Sequence, residues 1–362
     1  MYSRPPHRRC VRRDRPLRVG FLPLTDAAPL MVAERRGLFT KRGLVVELQR
    51  EVGWATVREK IFHGELDAAH APAPMLWSLH LGAGCMPCPS LTAIVLNLHG
   101  NAVTLSRTLW EAGVRDASGL RAAARERKGR QPLTFGVVFH YSTHHLHLLD
   151  WLRAAGLDLN TEVRIVVVPP AQLFRNLNAG TIDGYCAGEP WNTLAVCEGA
   201  GWCPAWSAAH QAGHVGKVLA VKQRFAEESA EEHLALVSAL AEACAWCDEP
   251  QNREPLAHIL AEAAYLNLPV RVIAPALSGR FDCGNGRVES IPDFHVFHRG
   301  EANVPTRAKA AELQAALVRA GLLEAPSAQL PARLFREDLY REAVSPPPMR
   351  EIASALQNRQ IA

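Results

Sequence analysis

His144 and Asp183 are the first residues whose setting points to chemistry, because each falls near the end of an apolar run in a strand-and-helix alternation. Residues 133–139 form an apolar, β-branched run, and 140–145 is a polar break rich in hydrogen-bond donors. Residues 146–155 have helical spacing and stop at Gly156, 163–168 is a second apolar run closed by Pro169 and Pro170, and 172–179 is a short helix ended by Gly180. Residues 182–186 read as a third strand, followed by the turn 188–192. Strands alternating with helices of this length predict βαβ units in a parallel sheet. Ligands bind such sheets at the carboxyl ends of the strands, so this segment is the expected wall of a small-molecule site.

Other constellations point less far. His140, His144, His145 and His147 scatter imidazoles around a turn and a helix start with no adjacent carboxylate cluster, so no metal is expected there, and His145 and His147 read as packing or solvent-facing residues. Cys85/Cys88 and Cys244/Cys247 have the C-x-x-C spacing of a zinc site. The second pair lies in an Ala/Leu-rich helical stretch, where cysteine reads as a small hydrophobe, and the first sits in a loop without His or acidic companions, so zinc is expected at neither. Nine cysteines argue against a fully paired disulfide framework. No G-x-G-x-x-G, G-x-x-x-x-G-K-S/T, G-x-S-x-G or H-E-x-x-H motif occurs, and no paired acid and base is evident, so neither a cofactor nor catalysis is expected.

The elements that must position these residues follow from length and pattern. A chain of 362 residues fits two domains better than one core, and 48% hydrophobic with 21% charged residues is an ordinary globular composition. The net charge of +4 is mild, and arginines crowd the first eighteen residues, leaving a body that calls for neither nucleic acid nor an anionic membrane. The apolar runs are strand-sized, and the basic start is followed by no long apolar core, so the expected location is the cytoplasm. Residues 1–16 read as a disordered arm. Strands are expected at 17–24, 44–49, 66–70 and 93–98, with Asp26 capping a helix that ends near Gly37 and a further helix over 54–63 stopped by Gly64. A strand over 217–221 returns the chain to the first sheet, and helices follow at 231–246, 255–266 and 307–320. The expected division is residues 17–106 with 217–345 as one lobe, 107–216 as a second lobe inserted into it, and 346–362 as a tail. The two chain crossings fall near Ser106 and Lys217, with a cleft between the lobes.

Five stretches stand in a telling order: Trp54-Ala-Thr-Val-Arg58, Asn97-Leu-His-Gly-Asn101, Thr143-His144, Val168-Pro-Pro-Ala-Gln172 and Gly188-Glu-Pro-Trp-Asn192. Over about residues 17–225 the chain resembles nitrate- and bicarbonate-binding proteins of the NrtA/CmpA type. The resemblance implies an α/β, two-lobed periplasmic-binding-protein-like fold (type II) with two crossovers. It also implies an anion site made of Trp54, Asn101, His144, Asp183 and Lys217. Members with a secretion signal feed an ABC-type transporter. Those without one (NasS-type) are cytoplasmic nitrate/nitrite sensors that hold an RNA-binding antitermination regulator until the anion binds, and the chain is expected to be of this second kind.

Nitrate is planar, singly charged and weakly hydrated, with three acceptor oxygens and no donor. Its pocket needs one cation, N–H donors from several directions and a flat apolar face. Lys217 supplies the cation, His144 and Asn101 supply donors, and Trp54 offers an indole N–H and a ring face. The resemblance implies glutamine at the Asn101 position in transporter relatives. Helix starts after Thr25, Gly53 and Thr143 add backbone N–H groups and a favourable dipole. A carboxylate repels nitrate, so Asp183 is expected to orient His144 or Lys217. Bicarbonate carries a donor O–H that wants an acceptor or a metal, and the resemblance implies that bicarbonate binders lack the lysine, so Lys217 favours nitrate or nitrite. Glu189 and Trp191 are expected to shape the turn. Closing two lobes from 1:99 to 99:1 takes about 5.5 kcal/mol, and micromolar binding supplies roughly 8 kcal/mol, so one small anion suffices for such a switch.

Overall fold

The computed structural model describes residues 15–84, 86–127 and 131–345. The expected arm up to residue 14, the tail 346–362 and Cys85 lie outside the described residues.

The chain lays down β1 (Leu17–Phe21), β2 (Val46–Arg50), β3 (Ala68–Pro72), β4 (Ser90–Leu91) and β5 (Val95–His99). Then come β6 (Asn101–Ser106), β7 (Leu133–Val137), β8 (Val163–Val167), β9 (Gly184–Gly188) and β10 (Gly201–Trp206). β11 (Val215–Lys222), a hairpin of β12 (Arg280–Asp282) and β13 (Val288–Ser290), and β14 (His295–Val296) complete the strands. One sheet has the order β14-β5-β11-β3-β1-β2 with β4 on β11, and a second has the order β10-β6-β9-β7-β8. β1 runs parallel to β2 and β3, and β7 runs parallel to β8 and β9, as crossover helices require. β11 returns antiparallel between β3 and β5.

Each sheet has its own core. Val19, Phe21, Leu96 and Leu219 pack beneath the helix Ala230–Asp248 in one lobe, and Val103, Leu105, Phe135 and Leu148 pack in the other. A further cluster runs across the gap, joining Leu24, Trp54 and Val218 to Val138, Leu146 and Trp191. The lobes are therefore closed on each other. The backbone N–H of Thr25 donates to the Glu189 carbonyl at 2.8 Å, and the Tyr141 hydroxyl donates to the Leu322 carbonyl at 2.9 Å.

The crossings differ from the expected ones. The chain leaves the first sheet at Gly100, not near Ser106, so β6 belongs to the second sheet. Gly100 has φ +91°, and a Cβ there would lie 2.5 Å from the His295 ring, so the crossover needs glycine. The return runs through residues 207–214 into β11. The β12–β13 hairpin, expected within the first lobe, packs on the second instead. Cys203 N–H donates to the Cys283 carbonyl at 2.9 Å, and Phe281, Ile291 and Phe294 cover Ala102 and Cys203. Three-residue strands carry too little periodicity to announce this in sequence.

Candidate functional site

Four of the five expected residues converge where both sheets present their strand ends. Trp54 opens the helix Trp54–His63, which follows β2 and is stopped by Gly64 in a left-handed conformation. His144 is the second residue of the helix Thr143–Ala154, whose start is capped by the Ser142 hydroxyl accepting from His145 N–H at 3.2 Å. Lys217 lies on β11, which belongs to the first lobe. Its Nζ donates to His144 Nε2 at 3.4 Å, bridging the lobes, and sits 5.8 Å from the Trp54 ring centroid. Asn101 opens β6 opposite Gly188 on β9, and paired residues of adjacent strands face the same side. On that side a Cβ at Gly188 would lie 3.3 Å from Asp26 Oδ2 and 3.7 Å from His144 Nε2.

Asp183 is elsewhere. It precedes β9, whereas the cluster lies at the Gly188 end, about 16 Å along the strand. Its carboxylate accepts from Arg127 Nη1 at 2.8 Å and from Thr134 N–H at 2.8 Å, so it orients neither His144 nor Lys217. The expected strand 182–186 begins two residues later, at Gly184, so Asp183 stands just before the amino end of β9.

The carboxylate at the centre is Asp26. It does not cap the first helix but sits in the 3₁₀ turn Thr25–Ala27, fully buried, accepting from Lys217 Nζ at 2.6 Å and from His70 Nε2 at 2.8 Å. Burial pushes this carboxyl upward, but Lys217 and His70 outweigh it and hold the group well below the usual carboxylate range. Burial lowers His70, against the opposing pull of Asp26, and lowers His144 well below its ordinary value with help from Lys217. Both shifts favour the neutral ring. In the neutral form the carboxylate of Asp26 calls for the His70 proton on Nε2, and the ammonium of Lys217 calls for the His144 proton on Nδ1 with Nε2 accepting. Two signals were available in sequence: a buried lysine demands a counter-ion, and His70 is the one strongly polar side chain in the small, apolar stretch of β3.

Around this string lie buried polar atoms that make no hydrogen bond within the protein: Trp54 Nε1, Thr25 Oγ1, Thr143 Oγ1, and both amide atoms of Asn101. Glu189 is buried too. Its Oε2 accepts from Thr193 N–H at 3.1 Å while Oε1 is unpartnered, and burial pushes the carboxyl up to about 7. Orphaned donors of this kind are rare in a folded interior and mark where a polar guest satisfies them. The set suits a small oxyanion, with a cation and neutral N–H and O–H groups coming from several directions and two helix starts at Trp54 and Thr143.

The molecule's other features draw less chemistry. A concavity of about 900 Å³ lies elsewhere, between Asp248, Arg253, His258 and Arg299. Cys244 and Cys247 are fully buried in one helix with burial pushing both thiols up, and His145 and His147 are buried packing residues. Among the described residues no group of three His, Cys, Asp or Glu is placed to hold a metal ion, and no helix is long and apolar enough to cross a membrane.

Two sheets closed over a buried lysine and a ring of unpartnered donors define a two-lobed solute-binding protein. Residues 12–261 match the NMT1-like family. The chain is 37% identical over 332 residues to the nitrate import ATP-binding protein NrtC of Synechocystis sp., covering 90% of this chain and 49% of that protein. It is 32% identical over 339 residues to the nitrate/nitrite binding protein NrtA of Synechococcus elongatus, covering 90% of this chain and 76% of that protein. The crystal structure of the periplasmic nitrate-binding protein NrtA from Synechocystis PCC 6803 superposes with a TM-score of 0.86 at 27% identity, covering 90% of this chain and 87% of that one. The chain belongs to the NMT1-like family and to the NrtA/CmpA-type binding proteins, with their two-lobed type II periplasmic-binding-protein-like fold. It spans about half the length of the ATP-binding relatives it matches.

Proposed function

We propose that this chain binds nitrate or nitrite between its lobes as the solute-binding unit of an ABC-type anion uptake system. The observation that carries the reading is Lys217, fully buried between the lobes and surrounded by the unpartnered donors of Trp54, Thr143 and Asn101. Each lobe contributes donors, Trp54 and Lys217 from one and His144 and Asn101 from the other, so only the closed form offers them together. The anion thus favours closure by the difference in its contacts to the two states. Nitrate and nitrite have no proton to donate, matching a site rich in donors, whereas bicarbonate would present an O–H to this lysine.

Kinship with a nitrate import ATP-binding protein favours transport over a sensor that releases an RNA-binding antitermination regulator. A unit working beside an ATP-binding subunit would sit in the cytoplasm, the location expected from the sequence. Calorimetric titration with nitrate, nitrite, bicarbonate and sulfate tests the reading. Saturable binding of the first two, abolished in Lys217→Ala, is the expected result, and no heat with either overturns it. Affinity purification from cells distinguishes the roles: co-purifying ATP-binding or permease subunits fit transport, and an RNA-binding protein that leaves on addition of nitrate fits the sensor.

A further inference from the structure

The charge of Lys217 is already cancelled before any anion arrives. Its ammonium lies 2.6 Å from Asp26 Oδ2 with both side chains fully excluded from solvent, and burial lowers the proton affinity of the two imidazoles touching the pair, His70 and His144. A monoanion seated alone on Lys217 would leave the closed site with one uncompensated negative charge, among the least favourable things a protein interior can hold. A conserved charge balance requires a second cationic event at the moment of closure.

The remaining titratable neighbours limit where it can occur. Asp26 comes from the turn after β1, His70 from β3, Lys217 from β11, His144 from the second lobe's helix, and Glu189 from the turn after β9. His214 and His295 lie farther out and act on the string only through their fields. Within the string, His70 Nδ1 is a buried ring nitrogen with no hydrogen-bond partner, on an imidazole whose Nε2 already faces Asp26. Protonation there makes an imidazolium held by Asp26 and frees Lys217 to face the anion.

Resting on the oxyanion reading, we propose that the anion enters this site together with one proton from solvent, taken up by the His70–Asp26–Lys217–His144 string as the lobes close. The balance is simple: anion, proton and protein give a complex whose site charge equals that of the free protein, and opening returns both. Interacting groups of this kind share the proton as a unit. Burial lowers the proton affinity of both imidazoles, which favours an unprotonated string until an anion is present. The site therefore selects a monoanion and couples its capture to pH.

The test is calorimetric titration of the wild-type protein with nitrate in pairs of buffers of different ionisation enthalpy, from about pH 6.5 to about pH 8.5, above the ordinary imidazole pKa. The expected result is uptake of one proton per nitrate and an affinity that weakens by up to about tenfold per pH unit. Asp26→Asn removes the cancelling carboxylate and is expected to bind nitrate without proton uptake and with a flat pH profile. Glu189→Gln is expected to keep the uptake. Nitrate binding with no proton exchange in the wild type, uptake that survives in Asp26→Asn, or uptake lost in Glu189→Gln would each overturn the proposal while leaving anion binding standing. No nitrate binding at any pH would instead remove the functional reading beneath it.

Discussion

Two of the carboxylate–cation pairs among the described residues, Asp26–Lys217 and Asp183–Arg127, lie about 16 Å apart along β9 and behave as different objects. Asp26–Lys217 has both side chains at 0% exposure, whereas Asp183–Arg127 has 19% and 35%. The distances, 2.6 and 2.8 Å, barely differ. What differs is water. A half-exposed pair keeps much of its hydration and contributes little net stability, while a buried pair has surrendered hydration and depends on its partner. Only the buried pair is surrounded by orphaned donors, so only it has unspent hydrogen-bonding capacity. A site is recognised here by desolvation and unmet donors, not by the presence of acid and base.

The largest effect should come from breaking the buried pair on one side. Lys217→Met leaves Asp26 without its ammonium, and a loss of about 3–5 kcal/mol is expected in urea unfolding together with loss of nitrate binding. Removing both charges, in Asp26→Asn/Lys217→Met, should recover most of the stability and none of the binding. If the single variant is as stable as wild type, the pair is not buried as described.

The contrast of burial extends to the imidazoles. Burial pushes His147 and His295 down to about 3 and His145 and His233 to about 4. The unfolded chain, with imidazole pKa near 6.5, therefore binds these protons more readily. The stability these rings contribute is full above about pH 6.5 and is lost as the pH falls toward their folded-state values. Glu189 runs the other way: raised to about 7, it favours the folded state at lower pH and withdraws that support as pH rises through about 7. Between about pH 7.5 and 5.5, four rings losing about 1.4 kcal/mol each outweigh a gain of about 2 kcal/mol at the carboxyl, a net loss of about 4 kcal/mol. Equal urea midpoints at the two pH values would contradict it.

A smaller effect separates shape from hydrogen bonding within the site. Trp54→Phe keeps a ring near Lys217 but removes the unpartnered indole N–H. Nitrate affinity should fall about tenfold, the scale of one hydrogen bond to a charged group, with thermal stability nearly unchanged. Unaltered affinity would show that the N–H does not face the anion.

Much of the architecture was legible because periodicity and glycine punctuation agree with it. The helix Trp54–His63 has its expected bounds, with Gly53 before it and Gly64 after it. The alternation in residues 133–192 does give parallel strands with crossover helices. β10 was not legible, since Gly201 and Pro204 argue against a strand, and it survives at the sheet edge with an irregular register. In the site, His144 is singled out by its place after an apolar run, and the resemblance added Trp54, Asn101 and Lys217. Asp26 was hidden because an acid after an apolar run looks like a helix cap. Its partner is 191 residues away, and no local pattern reports such a contact. Asp183 was misplaced because the cluster lies at the carboxyl end of β9, whereas Asp183 stands at the amino end under either set of strand bounds, 182–186 or 184–188.

The smallest effect is the sharpest control on the comparison. Asp183→Asn keeps an oxygen able to accept from Thr134 N–H while weakening the half-exposed pair with Arg127. Stability should fall by no more than about 1 kcal/mol, and nitrate affinity should stay within about twofold, because a charge about 16 Å away and partly screened by water contributes little. The measurement is the same calorimetric titration used for Lys217→Met. An affinity loss in Asp183→Asn comparable to that of the lysine variant would mean that the two ends of β9 are not independent, and that the anion is governed by the pair on the solvent side.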